Sequence, residues 1–262
     1  MGNAWLTINN LIAFALVLSR ASGILVSTPL LNFRSIPQTH KVGLAVVFSL
    51  ILFPLYGQSI KIPTDLFAFG ALVFQEVAIG LLLGYVVNLV FSAIQMAAEY
   101  ISLQMGLSIA SIMDPITQTQ SPVIGQIFFY FAAFTFLSLN IHHGLFLAID
   151  RSFEWIPLGQ FFGQADILSA GGLTERMIVL ASDIFVMALL VGVPVMGVLL
   201  CGEVALGFVA KVMPQMNIFM VAIPLKVGVG FILLLISLPY FGNLLAERYA
   251  QLVQVLLGLY KT

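Results

Sequence analysis

Long uncharged apolar windows dominate this chain: Val42 to Ile60, Val77 to Ala98, Pro115 to Ile149, Ile184 to Gly202 and Val227 to Ala246. A bilayer core of about 30 Å is crossed by roughly 20 apolar residues rising about 1.5 Å each. Several windows reach that length, and they lack the alternation and the closely spaced turns of a membrane barrel. The pattern therefore predicts an all-α, membrane-associated bundle of about six long, Pro-interrupted apolar helices forming hairpins. At the N-terminus the first basic residue, Arg20, lies inside the apolar run, whereas a secretory signal carries its basic stretch ahead of the run. A retained first helix is expected there.

Prolines and glycines mark the expected joints. Pro29 and Pro37 bracket the first turn, Pro54 and Pro63 the second, and Pro115 and Pro122 the third. Asp150 to Arg176, with Pro157, Gly159, Gly163 and the Gly171, Gly172 pair, is a long polar stretch expected to form short helices or loop. Pro194, Pro224 and Pro239 fall inside apolar segments and are expected to kink or interrupt them. The tail from Asn243 to Thr262 sets Leu244, Leu245, Leu252, Leu256 and Leu259 against Glu247, Arg248 and Gln251, an amphipathic helix by spacing.

Composition removes whole classes of function. Of 262 residues 61% are hydrophobic and 8% charged, with a mean hydropathy of +1.10. Soluble domains carry about 25% charged residues, so the solvent of this chain is lipid or other apolar protein. Intrinsic disorder is excluded by the same composition. Ten Lys plus Arg against eleven Asp plus Glu give a net charge of −1, which offers nothing to a polyanion, so nucleic acid is not a partner. Topology signals are weak. With six spans one side receives Arg34, Lys41 and Lys211 and the other Lys61, Arg151, Arg176, Arg248 and Lys261. That small bias implies that some apolar helices are covered by other subunits rather than by lipid.

No enzymatic constellation emerges: there is no zinc-type His/Glu spacing, no glycine-rich phosphate loop and no Gly-x-Ser-x-Gly turn. Neither a metal site nor a cofactor is expected, and His142 and His143, about 100° apart on a helix, make a poor chelate. Cys201 reads as a small buried hydrophobe. More informative are the ionisable residues in or beside apolar runs: Arg20, Glu76, Glu99, Asp183, Glu203 and Lys226. A charge at the centre of hydrocarbon costs about 3 kcal/mol on insertion scales, so each of them should face protein or water. Two cations against four acids leave two acids without an internal partner, pointing to cations on neighbouring chains or to a wet lumen. Gly80-x-x-x-Gly84 offers a close helix contact.

One segment stands apart. Gly106 to Ser121, reading GLSIASIMDPITQTQS, turns polar after Met113, stops a helix at Asp114-Pro115, and runs through Thr117 and Gln118 without an apolar anchor. Set between apolar helices, it is either a connector outside the bilayer or a re-entrant, pore-occluding loop, because lipid cannot satisfy its backbone. On residues alone, a secondary transporter using Glu76, Asp183, Glu203 or Lys226 near the Pro194 and Pro224 interruptions is an alternative of another class.

Around this loop the chain resembles a known family, the R-type export-gate subunits of flagellar type III secretion, called T subunits in injectisomes. The resemblance is carried by Glu76, Gly80, Gly84, Phe91, Glu99, Gln104, Gly106, Leu107, Ala110, Asp114 and Pro115, then by Asn140, His142, Ser152, Phe153 and Pro157. Upstream, Arg20, Gly23, Pro29, Leu30, Pro37, Lys41, Gly43, Leu44 and Ala45 also match. Ala98 and Ile141 depart from the pattern, each standing where the family usually has glycine. Pro194 to Pro214, with Gly197, Glu203 and Lys211, resembles the turn region of the small Q-type subunit.

The resemblance implies a P-like portion over 1–180, including the polar connector 150–176, joined to a Q-like hairpin over 181–262 with an amphipathic C-terminal helix. It further implies a single copy completing a helical P, Q and R assembly in the bacterial inner membrane, within the flagellar basal body. Partners would be P-type and Q-type subunits, B-type and A-type export subunits, membrane lipid and unfolded exported proteins. Gly106, Leu107, Ser108, Ile112, Met113, Asp114, Pro115, Thr117 and Gln118 would belong to the plug of the closed channel. Arg20, Glu76, Glu99, Asp183, Glu203, Lys211 and Lys226 would serve buried charge pairing and assembly, and Gly80 and Gly84 helix packing.

Overall fold

The computed structural model describes residues 8–29, 37–57, 66–107, 123–158, 172–215 and 217–258. Those residues form α1 (Ile8–Ser27), α2 (Gln38–Tyr56), α3 (Leu66–Met105), α4 (Val123–Ser138), α5 (Ile141–Trp155), α6 (Gly172–Val212) and α7 (Ile218–Gly258). Among them there is no strand, so the architecture is the all-helical one that the apolar windows predict. Five helices are long and apolar enough to cross a membrane, or six spans if α4 and α5 are counted as one bent pair.

Pro54 is not the joint that the proline reading expects, and no proline interrupts α6 or α7. Pro54 lies inside α2, Pro194 inside α6, and Pro224 and Pro239 inside α7, and each helix continues through them. A proline removes one backbone hydrogen bond, and in long apolar helices the remaining ladder keeps the segment helical. The Pro115 to Ile149 window is instead divided: α4 starts at Val123 and ends at Ser138, and α5 starts at Ile141. Asn140 makes this break with a left-handed backbone, φ 55°, a conformation its short polar side chain tolerates. The polar stretch is helical at both ends, since α5 runs on to Trp155 and α6 begins at Gly172. On α5 this is packing: Ile149, Ser152 and Phe153 are buried while Arg151 and Glu154 face outward. The amphipathic tail is not a separate helix but the end of α7, where Leu245, Tyr249 and Leu252 are buried and Glu247 and Gln251 exposed.

The chain packs as two compact units. The first draws on 1–89, 140–180 and 250–262. In it α1 and α2 are neighbours, joined edge-on by Phe14 and Phe53 at 6.0 Å. The buried face of α1 runs through Ala13, Leu16, Val17, Arg20, Ile24 and Thr28, a helical spacing that places its single charge inside. The matching face of α3 runs through Glu76, Ile79, Leu83 and Val87. Phe48 of α2 stacks against Phe146 of α5 at 4.5 Å.

The second unit draws on 90–139 and 181–249. Its core is aromatic: Phe91 of α3 lies 5.9 Å from Phe136 of α4 and 6.2 Å from Tyr249 of α7, and Phe128 meets Phe241 at 5.3 Å. The buried Tyr249 hydroxyl donates to the Ala132 carbonyl at 3.2 Å, so the ring keeps its apolar contacts without an orphaned polar end. Ala188, Val191, Val195 and Leu199 give α6 one buried face. Ala98 is fully buried here, so the departure from glycine is accommodated by a side chain of one methyl.

Candidate functional site

Arg20 is the centre of the most elaborate polar arrangement in the first unit. It is fully buried, and its Nε donates to Glu76 Oε2 at 2.6 Å, the carboxylate being equally buried. Its Nη1 donates to the Ser152 carbonyl at 2.8 Å and to Ser152 Oγ at 3.3 Å, and its Nη2 to the Ile156 carbonyl at 2.9 Å. The Ser152 carbonyl also accepts from Ile156 N at 3.0 Å, and Ile156 is the residue at which α5 ends, where carbonyls run short of helix donors. A cation from α1 thus caps a helix C-terminus, where the helix dipole favours positive charge. The guanidinium also lies 4.2 Å from the centroid of Phe153, and the ring of Tyr56 stacks on that phenylalanine at 5.1 Å. Tyr56 Oη donates to Asp150 Oδ1 at 2.9 Å, which ties the end of α2 to α5. The planar fork of arginine suits this site because it hydrogen-bonds in its plane and stacks through its faces.

Immediately beside this pair α1 and α3 touch through their backbones. A methyl on Gly23 would sit 2.7 Å from the Val77 carbonyl oxygen and 3.1 Å from the Gly80 Cα. One on Gly80 would collide with the Arg20 carbonyl oxygen, and one on Gly84 with Ser27 Oγ. The glycines therefore set the approach of the two helices, and that approach brings Arg20 to Glu76.

In the second unit Lys226 of α7 donates to Glu203 of α6, both partly exposed. Lys211 is exposed in the last turn of α6, and it has no ion-pair partner among the described residues. Glu99 and Asp183 are exposed and, among the described residues, also have none. Among the described residues, the four acids thus divide into two engaged by cations of this chain and two not engaged. Glu99 shares its exposed side with Gln95 and Tyr100, a polar setting one helix turn and more before the loop.

At the root of that loop Gly106 adopts φ 81°, open to glycine without strain. It closes α3 as Leu107 N donates to the Ser102 carbonyl at 3.1 Å and Gly106 N to the Leu103 carbonyl at 3.0 Å. Met105 is fully buried against Gly230 of α7, where a methyl would come within 2.7 Å of its Sδ. The other loop residues singled out by sequence, Ser108, Ile112, Met113, Asp114, Pro115, Thr117 and Gln118, lie outside the described residues.

The cluster contains three members that sequence alone did not single out, Tyr56, Asp150 and Ile156. Asp150 was visible as the first charge after a long apolar window, but nothing in the sequence pairs it with a tyrosine 94 positions earlier. Cys201, expected to be buried, is exposed on α6. That expectation rested on the absence of a basic neighbour in sequence, which does not decide burial, and Leu200 and Val204 nearby are exposed too. Among the described residues no group of three or more His, Cys, Asp or Glu could hold a metal ion.

Comparison with known proteins decides what carries this architecture. The family described as bacterial export proteins, family 1, matches residues 11–252. The chain belongs to this family. It is 35% identical over 227 residues to the flagellar biosynthetic protein FliR of Bacillus subtilis, covering 86% of each chain. To the protein of the same name from Escherichia coli it is 29% identical over 252 residues, covering 96% of this chain and 93% of the relative. To that of Caulobacter vibrioides it is 28% identical, covering 97% and 99%. Family membership, these relatives and the apolar helices make the chain a membrane component of flagellar protein export, an apparatus in which it works beside other export subunits.

Proposed function

We propose that this export protein is a core subunit of the flagellar type III export gate. One copy completes a helical assembly of P-type and Q-type subunits in the bacterial inner membrane, within the basal body. The assembled channel passes unfolded export substrates, delivered with the help of the B-type and A-type export subunits. Residues 1–180 act as the P-like portion and 181–262 as the Q-like hairpin. The segment from Gly106 to Ser121 plugs the closed pore, and Glu99, Asp183 and Lys211 serve contacts with neighbouring chains.

The observation that carries this reading is a mismatch of length. The apolar spans of α3, α6 and α7 comprise 40, 35 and 35 residues. At 1.5 Å per residue they extend about 60, 52 and 52 Å, against about 30 Å of hydrocarbon. Much of α6 and α7 is apolar and exposed, with 33% and 17% of the span window buried. Lipid cannot cover surface beyond its own thickness, so other protein must. A transporter working alone has no such cover. Three of its four candidate coupling groups, Glu76, Glu203 and Lys226, are also already held in ion pairs. None of the relatives' names denotes an enzyme.

Co-expression with and without the P-type and Q-type subunits tests the assembly. A discrete hetero-oligomer containing one copy of this chain is expected, and a stable homomer needing no partner overturns the reading. The plug is tested by deleting 108–121 while keeping Gly106 and Leu107, which close α3. That variant is expected to assemble normally and to make the resting gate leaky to ions and small solutes. Unchanged conductance overturns the plug assignment.

A further inference from the structure

The exposed side of α6 in the second unit is the surface that most needs a partner. Asp183, Val186, Leu190, Val193, Leu200 and Val204 are spaced three, four or seven residues apart and are all exposed. Together they form one stripe, opposite the buried Ala188, Val191, Val195 and Leu199. Gly197 lies within the stripe with nothing within 4 Å of an added methyl, so a second backbone can approach closely there. Among the described side chains of α6, exposed apolar ones run from Ile178 to Val212. Even a helix tilted by about 40° places only about 39 Å of its length in hydrocarbon about 30 Å thick. The apolar surface of α6 extends about 52 Å, so part of it lies against protein.

Charge marks which part. Asp183 stands at one end of the stripe, beside the exposed Ser182 and one turn before Val186. Among the cations of its unit, Lys226 is engaged by Glu203, and Lys211 stands 28 positions, about 42 Å, further along α6. The exposed side of α7 from Ile232 to Ile236 carries no charge and suits lipid. Glu99 has polar neighbours that let water solvate it. Among the described residues, the α6 stripe combines an apolar contact face with a carboxylate that has no ion-pair partner. Resting on the gate reading, we propose that this face docks a transmembrane helix of a neighbouring export subunit whose Lys or Arg pairs with Asp183.

The test places a photo-crosslinking benzoylphenylalanine at Leu190 or Val193 in the chain co-expressed with the P-type and Q-type subunits. The expected adduct is with one subunit, in a segment bearing a Lys or Arg. Asp183→Lys abolishes it, and changing that partner residue to Asp or Glu restores it. Asp183→Asn keeps shape and insertion, so it separates pairing from folding. It is expected to lower the adduct by about tenfold or more at an unchanged amount of subunit in the membrane. Adducts with lipid alone, with a second copy of this chain, or indifferent to Asp183→Lys overturn the docking. If the wild-type chain fails to co-purify with either subunit, the gate reading falls and the docking with it; co-purification with lipid adducts only overturns the docking alone.

Discussion

Replacing Arg20 by methionine is expected to remove most of the folded protein from the membrane and to abolish motility. The variant leaves the Glu76 carboxylate at 0% exposure without its cation. It also takes the arginine donor from the Ile156 carbonyl, leaves the Ser152 carbonyl with its bond from Ile156 N, and removes the cation from the face of Phe153. Removing one partner of a buried pair destabilises by about 3–5 kcal/mol, because the other charge is left buried. Marginally stable proteins have about 5–15 kcal/mol in all, so the loss is a large share. Arg20→Lys is expected to recover little, since an ammonium on a flexible stem cannot bond Glu76 and two α5 carbonyls in one plane while stacking on Phe153. Arg20→Met with Glu76→Gln should be less damaging than Arg20→Met alone, because the stranded charge is gone. The check is the amount of subunit recovered in the detergent-solubilised complex and the temperature at which that complex is lost. If Arg20→Met matches the wild type, the cluster is not what positions α1, α3 and the end of α5.

This cluster also shows how far the sequence could be read. Arg20 and Glu76 were conspicuous because each interrupts an apolar run, and hydrocarbon tolerates neither. Their apolar settings required each to face protein or water, but that reading treats one helix at a time. That Arg20 would meet a residue 56 positions away and carbonyls 132 and 136 positions away depends on packing between helices. Backbone carbonyls carry no sequence signal at all, so the capping of α5 was illegible. Long apolar windows predicted α2, α3, α6 and α7 because membrane-length helices need little beyond apolar length. Pro54 misled in α2, and Pro194, Pro224 and Pro239 do not interrupt α6 or α7, since a local breaker signal loses to a helix whose other residues have their partners. The left-handed Asn140 was the opposite case, a strong break marked only by a residue type that tolerates positive φ. Cys201 and its neighbours failed for a different reason: apolar composition does not distinguish a core from a surface that lipid or another subunit covers.

A methyl group added at Gly80 is expected to be nearly as harmful as the loss of Arg20, although it changes no charge. The obstacle is the Arg20 carbonyl oxygen, a backbone atom that cannot rotate away, with the Gly23 Cα 3.1 Å from the same point. Overpacking a well-packed contact costs about 1–3 kcal/mol, and the upper end applies where backbone must move. Gly80→Leu should exceed it and separate α1 from α3. Gly84→Ala meets Ser27 Oγ, which can turn, and the Ile24 carbonyl at 2.7 Å, which cannot, so a similar but smaller loss is expected. Gly70 supplies the control, because it is exposed near the start of α3 with nothing within 4 Å of an added methyl. There alanine should be neutral or should stabilise the helix by up to about 1 kcal/mol. The same measurement of recovered complex and its thermal loss separates these cases. A tolerated Gly80→Ala would show that the crossing is looser than its spacing implies. Since the crowded atom belongs to Arg20 itself, the methyl at Gly80 must also shift Arg20 away from Glu76. Gly80→Ala combined with Arg20→Met is therefore expected to cost less than the sum of the two, the mark of one contact disturbed from two sides.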